Sequence, residues 1–203
     1  MPKPLLTARY RVVVRDAQGR IKYIEEAPSK SFILNFLYLW WLCFNLNTTD
    51  TISVVDSSGN QTTLVVPQPY GWWGWANCQF TSTNNPYAGI QVGSGTSSPS
   101  ASSPYLESLI LNGTSPGQLS YAYNGVTSPS VSSNPSTMQI TQTLTNNSGG
   151  SVTVGEIGLA TGLVNSSGSA FYAALIIHDV LSSAISLPYG GTITVTYTLQ
   201  VNT

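Results

Sequence analysis

A chain of 203 residues that is 41% hydrophobic, 7% charged and net −1 is long enough to bury a core and too apolar to be disordered throughout. An ordinary cytosolic enzyme carries charge on roughly a quarter of its residues; this body must meet water through Ser, Thr, Asn, Gln and Gly, which favours scaffold or coat work over chemistry. The small net charge also hides a polarity. All seven basic side chains lie in the first thirty residues, which net +4 after three acids, while the other 173 carry five acids and no base, net −5.

The opening Met1-Pro2-Lys3-Pro4, a few apolar residues and then an Arg-rich run lack the plan of a secretory signal, so classical export is not expected. Residues 8–14 alternate, with Tyr10, Val12 and Val14 on one face and Arg9, Arg11, Val13 and Arg15 on the other, the pattern of a half-buried strand. Asp16-Ala17-Gln18-Gly19 supplies a turn, and residues 20–24 resume as a second strand, giving a β-hairpin with an arginine face. Residues 32–44 form the one apolar helix candidate, capped by Ser29 or Ser31. Its Phe32, Phe36, Leu37, Trp40, Trp41 and Phe44 occur on all sides, and such a helix must be enclosed, by this chain or by a partner. Extended to residue 46 it would rise about 22 Å, short of the ~30 Å hydrocarbon core of a bilayer, so no transmembrane span is expected.

Residues 47–59 and 61–66 read as a strand pair turning over 56–60. The densest aromatic loop follows, with Tyr70, Trp72, Trp73 and Trp75 separated by glycines; it either folds back over the core or offers rings to a sugar or a neighbouring subunit. Low-complexity stretches at 93–104 and 127–137 punctuate further strand candidates at 89–92, 106–111, 118–123, 138–145, 152–159, 170–179 and 192–201. In the last, Ile193, Val195, Tyr197, Leu199 and Val201 alternate with Thr and Gln. Many short strands between Gly, Asn, Ser and Pro turns predict a mainly β protein, an antiparallel β-sandwich or jelly roll with an N-terminal β-hairpin and one short apolar helix. Residues 1–46 would be the basic hairpin and apolar docking segment, and 47–203 the sandwich body, as one continuous unit.

No constellation for catalysis, metal or cofactor emerges. The single histidine, His178, adjoins Asp179 and lies near Ser182 and Ser183, but strand neighbours point to opposite faces, so Asp179 cannot orient it; the plain reading is a strand-end histidine. Glu107 and Glu156 cannot be paired from sequence alone, and no ligand cluster has zinc or EF-hand spacing. Gly93-Ser94-Gly95-Thr96 lacks the Lys and helix of a phosphate loop. Cys43 and Cys78 permit one disulfide, or serve as two buried thiols. Sequons at Asn47, Asn60, Asn112, Asn146 and Asn165 arise readily in such a composition and do not by themselves indicate glycosylation.

Several blocks in collinear order resemble virion structural proteins encoded by tailed phages and related viruses of prokaryotes. They are VVVRDAQG at 12–19, SFILNFLY at 31–38, GIQVGSGT at 89–96 followed by YLESLI at 105–110, TNNSGG at 145–150, VGEIGL at 154–159 and GTITVTY at 191–197. The middle pair is similar to a "GI-V-GTG... Y-LE--I" pattern. The resemblance implies a non-enzymatic coat, decoration or tail component of a virus particle, assembled in the host cytoplasm as a homo-oligomer with other virion proteins. It transfers no catalytic residue. In that role Arg9, Arg11, Arg15, Phe32, Phe36, Leu37, Trp40, Trp41 and Phe44 are the expected assembly contacts. A second reading is a glycan-binding adhesin or receptor-binding module acting through Tyr70, Trp72, Trp73 and Trp75 on a host-surface glycan. A third, contact with packaged nucleic acid through the arginines, is disfavoured, because three acids offset the cations and no RNA-reading aromatic motif accompanies them.

Overall fold

The structure, a computed structural model, describes residues 6–29, 32, 36–37, 51–55, 61–65, 88–122, 125–127, 136–164 and 171–201. Among them are eleven strands: β1 (Leu6–Arg15), β2 (Ile21–Ser29), β3 (Thr51–Val55), β4 (Gln61–Val65), β5 (Gly89–Gly93), β6 (Ser120–Tyr121), β7 (Gly125–Val126), β8 (Ser136–Thr145), β9 (Val152–Val164), β10 (Phe171–Leu187) and β11 (Thr192–Val201). All their pairings are antiparallel. The protein is mainly β, as its alternating patterns predict.

The larger sheet runs β2-β1-β11-β8-β6, with β7 also on β8, and a smaller one runs β10-β9-β5; β3 and β4 pair with each other. The N-terminal hairpin is built into the larger sheet, because β1 pairs with β11 in register from Leu6↔Val201 to Arg15↔Thr192. Period-2 alternation then decides which side is buried. Tyr10, Val12 and Val14 of β1, Ile140 and Leu144 of β8, and Ile193, Val195 and Tyr197 of β11 meet Ile90, Val92, Ile157, Leu159, Ile177 and Leu187 of the smaller sheet in one core, the arrangement of a sandwich.

Polar side chains cross-link the two layers. Gln142 of β8 accepts from the Ile90 N–H at 2.8 Å and donates to the Ala122 carbonyl at 3.0 Å, and the Tyr121 hydroxyl accepts from the Val92 N–H at 3.3 Å. Together with the Ile110 N–H, which donates to the Val92 carbonyl at 2.9 Å, these bonds occupy the edge of β5 that would otherwise invite another strand. At the opposite side, Glu25 of β2 accepts from the Ser182 N–H and hydroxyl of β10, both at 3.0 Å, and from the hydroxyls of Tyr10 and Tyr23.

Four expectations change in detail. Residues 106–111 are not a strand, although Leu106 and Ile110 are buried; the N–H groups of Glu107 and Ser108 turn to a carboxylate instead of a ladder. Among the described residues of 118–123, Ser120–Tyr121 alone pairs as a strand. β10 continues past residue 179 to Leu187 through a register shift between Val180 and Ile185, so His178 lies within a strand and not at its end. Finally, the helix predicted from residue 32 does not begin there: Phe32 makes a β-bridge to Ile177, and helical conformation is found at Phe36 and Leu37. No helix among the described residues is long and apolar enough to cross a membrane.

Candidate functional site

Two surfaces singled out by the sequence can be located. Alternation along β1 turns Arg9, Arg11 and Arg15 outward while Tyr10, Val12 and Val14 go into the core. Arg9 reaches Glu26 at 3.2 Å, an exposed pair, and Arg15 donates to the Gly19 carbonyl at 3.0 Å. Across the turn, Asp16 accepts from the N–H groups of Gln18 and Arg20 and pairs with the Arg20 side chain at 2.8 Å. Beside this face Ile21 and Ile24 of β2 remain about half exposed, at 49% and 50%. Phe32 and Phe36 pack against the core, their rings 4.5 Å apart, whereas Leu37 is 63% exposed. The expected contacts Trp40, Trp41 and Phe44 lie outside the described residues, as do Tyr70, Trp72, Trp73, Trp75, Cys43 and Cys78.

Among the described residues lies a buried charge cluster that no sequence motif marks. Cross-strand register places Glu156 of β9 opposite Gly93 of β5 and Val180 of β10, with His178 one pair further along the same face. Glu156 is fully buried and His178 nearly so. The Glu156 Oε1 accepts from the N–H groups of Ser108 at 2.8 Å and Gly95 at 3.1 Å; its Oε2 accepts from Glu107 N–H at 3.0 Å and lies 2.7 Å from His178 Nε2. Because an ionised carboxylate only accepts, Nε2 must carry the hydrogen. Glu107 holds the same loop from its other side, accepting from the N–H groups of Thr96 and Ser97 at 3.1 and 3.0 Å and from the Ser97 hydroxyl at 3.0 Å. Leu106 and Leu109 then close over Ala160, Ala173 and Leu175 as a second small core.

Asp179, one residue on, points to the other side of the sheet, where it accepts from the Tyr197 hydroxyl at 3.2 Å. The predicted divergence of His178 and Asp179 therefore holds, and among the described residues the two do not join in a Ser-His-Asp relay. The four donors filling Glu156 make it a fastener for the 94–110 segment. Among the described residues no group of three or more His, Cys, Asp or Glu is placed to hold a metal ion. Of the sequons, Asn146 is buried and donates to the carbonyls of Gly150 and Leu187, both at 2.8 Å, which closes it to modification in the folded chain.

No protein-family model, curated protein or solved structure matches this chain. The virion resemblance therefore rests on the sequence blocks alone. Two of those blocks, GIQVGSGT and VGEIGL, meet in space at Glu156, with YLESLI laid over them. Sequence reasoning missed this because three of the four donors to Glu156 are backbone N–H groups, and the fourth, His178, comes beside it only through the β9–β10 register.

Burial raises the pKa of Glu156, but hydrogen bonds from His178, Ser108 and Glu107 outweigh it and hold the carboxyl below its ordinary value. Glu25 behaves alike: burial raises it, and the Tyr23, Tyr10 and Ser182 donors bring it below the usual range. A lowered folded-state value means stability that is present above the unfolded value, ~4.3 for Glu, and lost as pH falls through the folded one. We expect the urea midpoint to be flat near neutrality and to drop below about pH 4. A midpoint that rises on acidification would contradict the assignment of both carboxylates as bound anions.

Proposed function

We propose that the chain is a non-enzymatic virion structural protein. It assembles into or decorates a virus particle or tail through its N-terminal segment and displays a polar β-sandwich. The observation that carries this reading is the outward face of β1 and β2 with their connecting turn, where every Lys and Arg among the described residues is gathered beside half-exposed Ile21 and Ile24; Leu37, later in the same N-terminal segment, is exposed as well. Exposed ion pairs add little to the sandwich's own stability, whereas interfaces are enriched in Arg and bury apolar side chains at their centre. The filled Glu156 centre supports a structural role in the same way, since its carboxylate has no acceptor site left for a substrate.

Leu37→Ser is the discriminating variant, because Phe32 and Phe36 also serve the core. We expect wild-type protein to sediment as an oligomer or to co-sediment with particle components. Leu37→Ser should lose that association while its unfolding free energy changes by no more than about 0.5 kcal/mol. A wild type that stays monomeric and binds no particle component, or a Leu37→Ser variant that assembles normally, would refute docking through this segment. Nucleic acid is not the expected partner: anisotropy with duplex and single-stranded probes should show no binding that falls steeply with salt, with a log–log slope of about one per phosphate contact.

A further inference from the structure

We infer that the outer face of β1 and β2 receives an extended acidic polypeptide segment whose carboxylates recur at alternate residues. The inference rests on the docking reading above and names the partner's chemistry. Side chains on one face of a strand repeat every second residue, about 6.8 Å apart. On β1 the outward row is Arg9, Arg11, Val13, Arg15, in register with Pro28, Glu26, Ile24 and Ile21 of β2 and with Thr198, Thr196, Thr194 and Thr192 of β11. The row is thus three guanidinium groups with one apolar position, Val13, backed by half-exposed Ile24.

An extended segment has the same repeat. Laid on this face, it can set acids over Arg9, Arg11 and Arg15 and an apolar side chain over Val13 and Ile24. The threonine row beside it gives a level polar floor, in which Thr194 and Thr196 are already tied to Thr143 and Thr141 at 2.8 and 2.9 Å. The existing Arg9–Glu26 pair is solvent-exposed and worth under about 1 kcal/mol, so Arg9 can exchange it for a partner carboxylate. A duplex winds away from a nearly flat strand and has no use for Val13, Ile21 and Ile24. The described body of a second copy does not supply the acids either: Glu156 and Asp179 are buried, and Glu107 is engaged by Thr96 and Ser97.

The test uses the full chain and two labelled synthetic peptides of one composition, Glu-Thr-Glu-Thr-Val-Thr-Glu and a version with its three glutamates adjacent, read by fluorescence anisotropy. The alternating peptide should bind more tightly and weaken as salt rises from about 50 to about 300 mM. The Arg9→Ala, Arg11→Ala, Arg15→Ala triple variant should lose about tenfold or more, and Ile24→Ser a smaller factor, with unchanged circular dichroism. Equal binding of the two peptides, binding indifferent to the triple variant, or displacement by duplex DNA as effective as by peptide overturns the inference. If the peptide does not bind while Leu37→Ser still disrupts assembly, the acidic partner is wrong and docking through the N-terminal segment stands.

Discussion

Glu156→Gln is expected to be among the most damaging single substitutions in this protein, costing about 3 kcal/mol or more of folding stability. Both carboxylate oxygens accept two donors each, Ser108 and Gly95 on Oε1, Glu107 and His178 on Oε2. An amide presents one oxygen and one NH2: in one orientation the NH2 faces the Ser108 and Gly95 N–H groups, and in the other it faces the Glu107 N–H and forces His178 into the tautomer that accepts at Nε2. The loss is measured by urea unfolding and localised by hydrogen exchange, where the amides of Gly95, Glu107 and Ser108 should lose protection before those of β1 and β11. His178→Gln gives the comparison. Glutamine can still donate one hydrogen bond toward Oε2, and the three backbone donors remain, so its cost should be clearly smaller. If Glu156→Gln costs no more than His178→Gln, the carboxylate is not the fastener of the 94–110 segment.

Legibility in the sequence followed the strength of local periodicity. The alternation of Tyr10, Val12 and Val14 against Arg9, Arg11 and Arg15, and of Ile193, Val195 and Tyr197 against threonines, is a one-strand signal. It located β1 and β11 and their buried faces, and with them the cationic row. Residues 106–111 carry apolar residues at strand-like density, yet the N–H groups of Glu107 and Ser108 are diverted to a carboxylate forty-nine residues downstream of Glu107. No local pattern encodes that diversion. The Glu156–His178 pair was hidden for a related reason: it needs the β9–β10 register, including the shift between Leu175 and Ile177, which a sequence does not reveal by itself. Read singly, Glu107 and Glu156 offered no pairing; the fold joins them through one loop that both carboxylates hold.

The glycines around that loop have a meaning that phosphate-loop spacing does not capture, and Gly155→Ala exposes it. A Cβ on Gly155 would lie 2.4 Å from the Gly95 carbonyl oxygen and 3.2 Å from that of Ser94, and one on Gly93 would lie 2.3 Å from Glu156 Oε1. The close approach of β9 to the 94–96 backbone is what lets a short carboxylate arm reach the Gly95 N–H, so the missing side chains are part of the fastener. The obstacle at Gly155 is backbone and cannot rotate aside. We expect Gly155→Ala to cost about 1–3 kcal/mol by overpacking, and to strip exchange protection from the Gly95 amide while the β1–β11 ladder keeps its own. Gly149→Ala serves as a contrast: a Cβ there would meet no atom within 4 Å, but the φ of +82° at Gly149 places its cost in local backbone strain, with no effect on Gly95. Unchanged stability and intact Gly95 protection in Gly155→Ala would mean that the loop does not sit where the Glu156 hydrogen bonds require it.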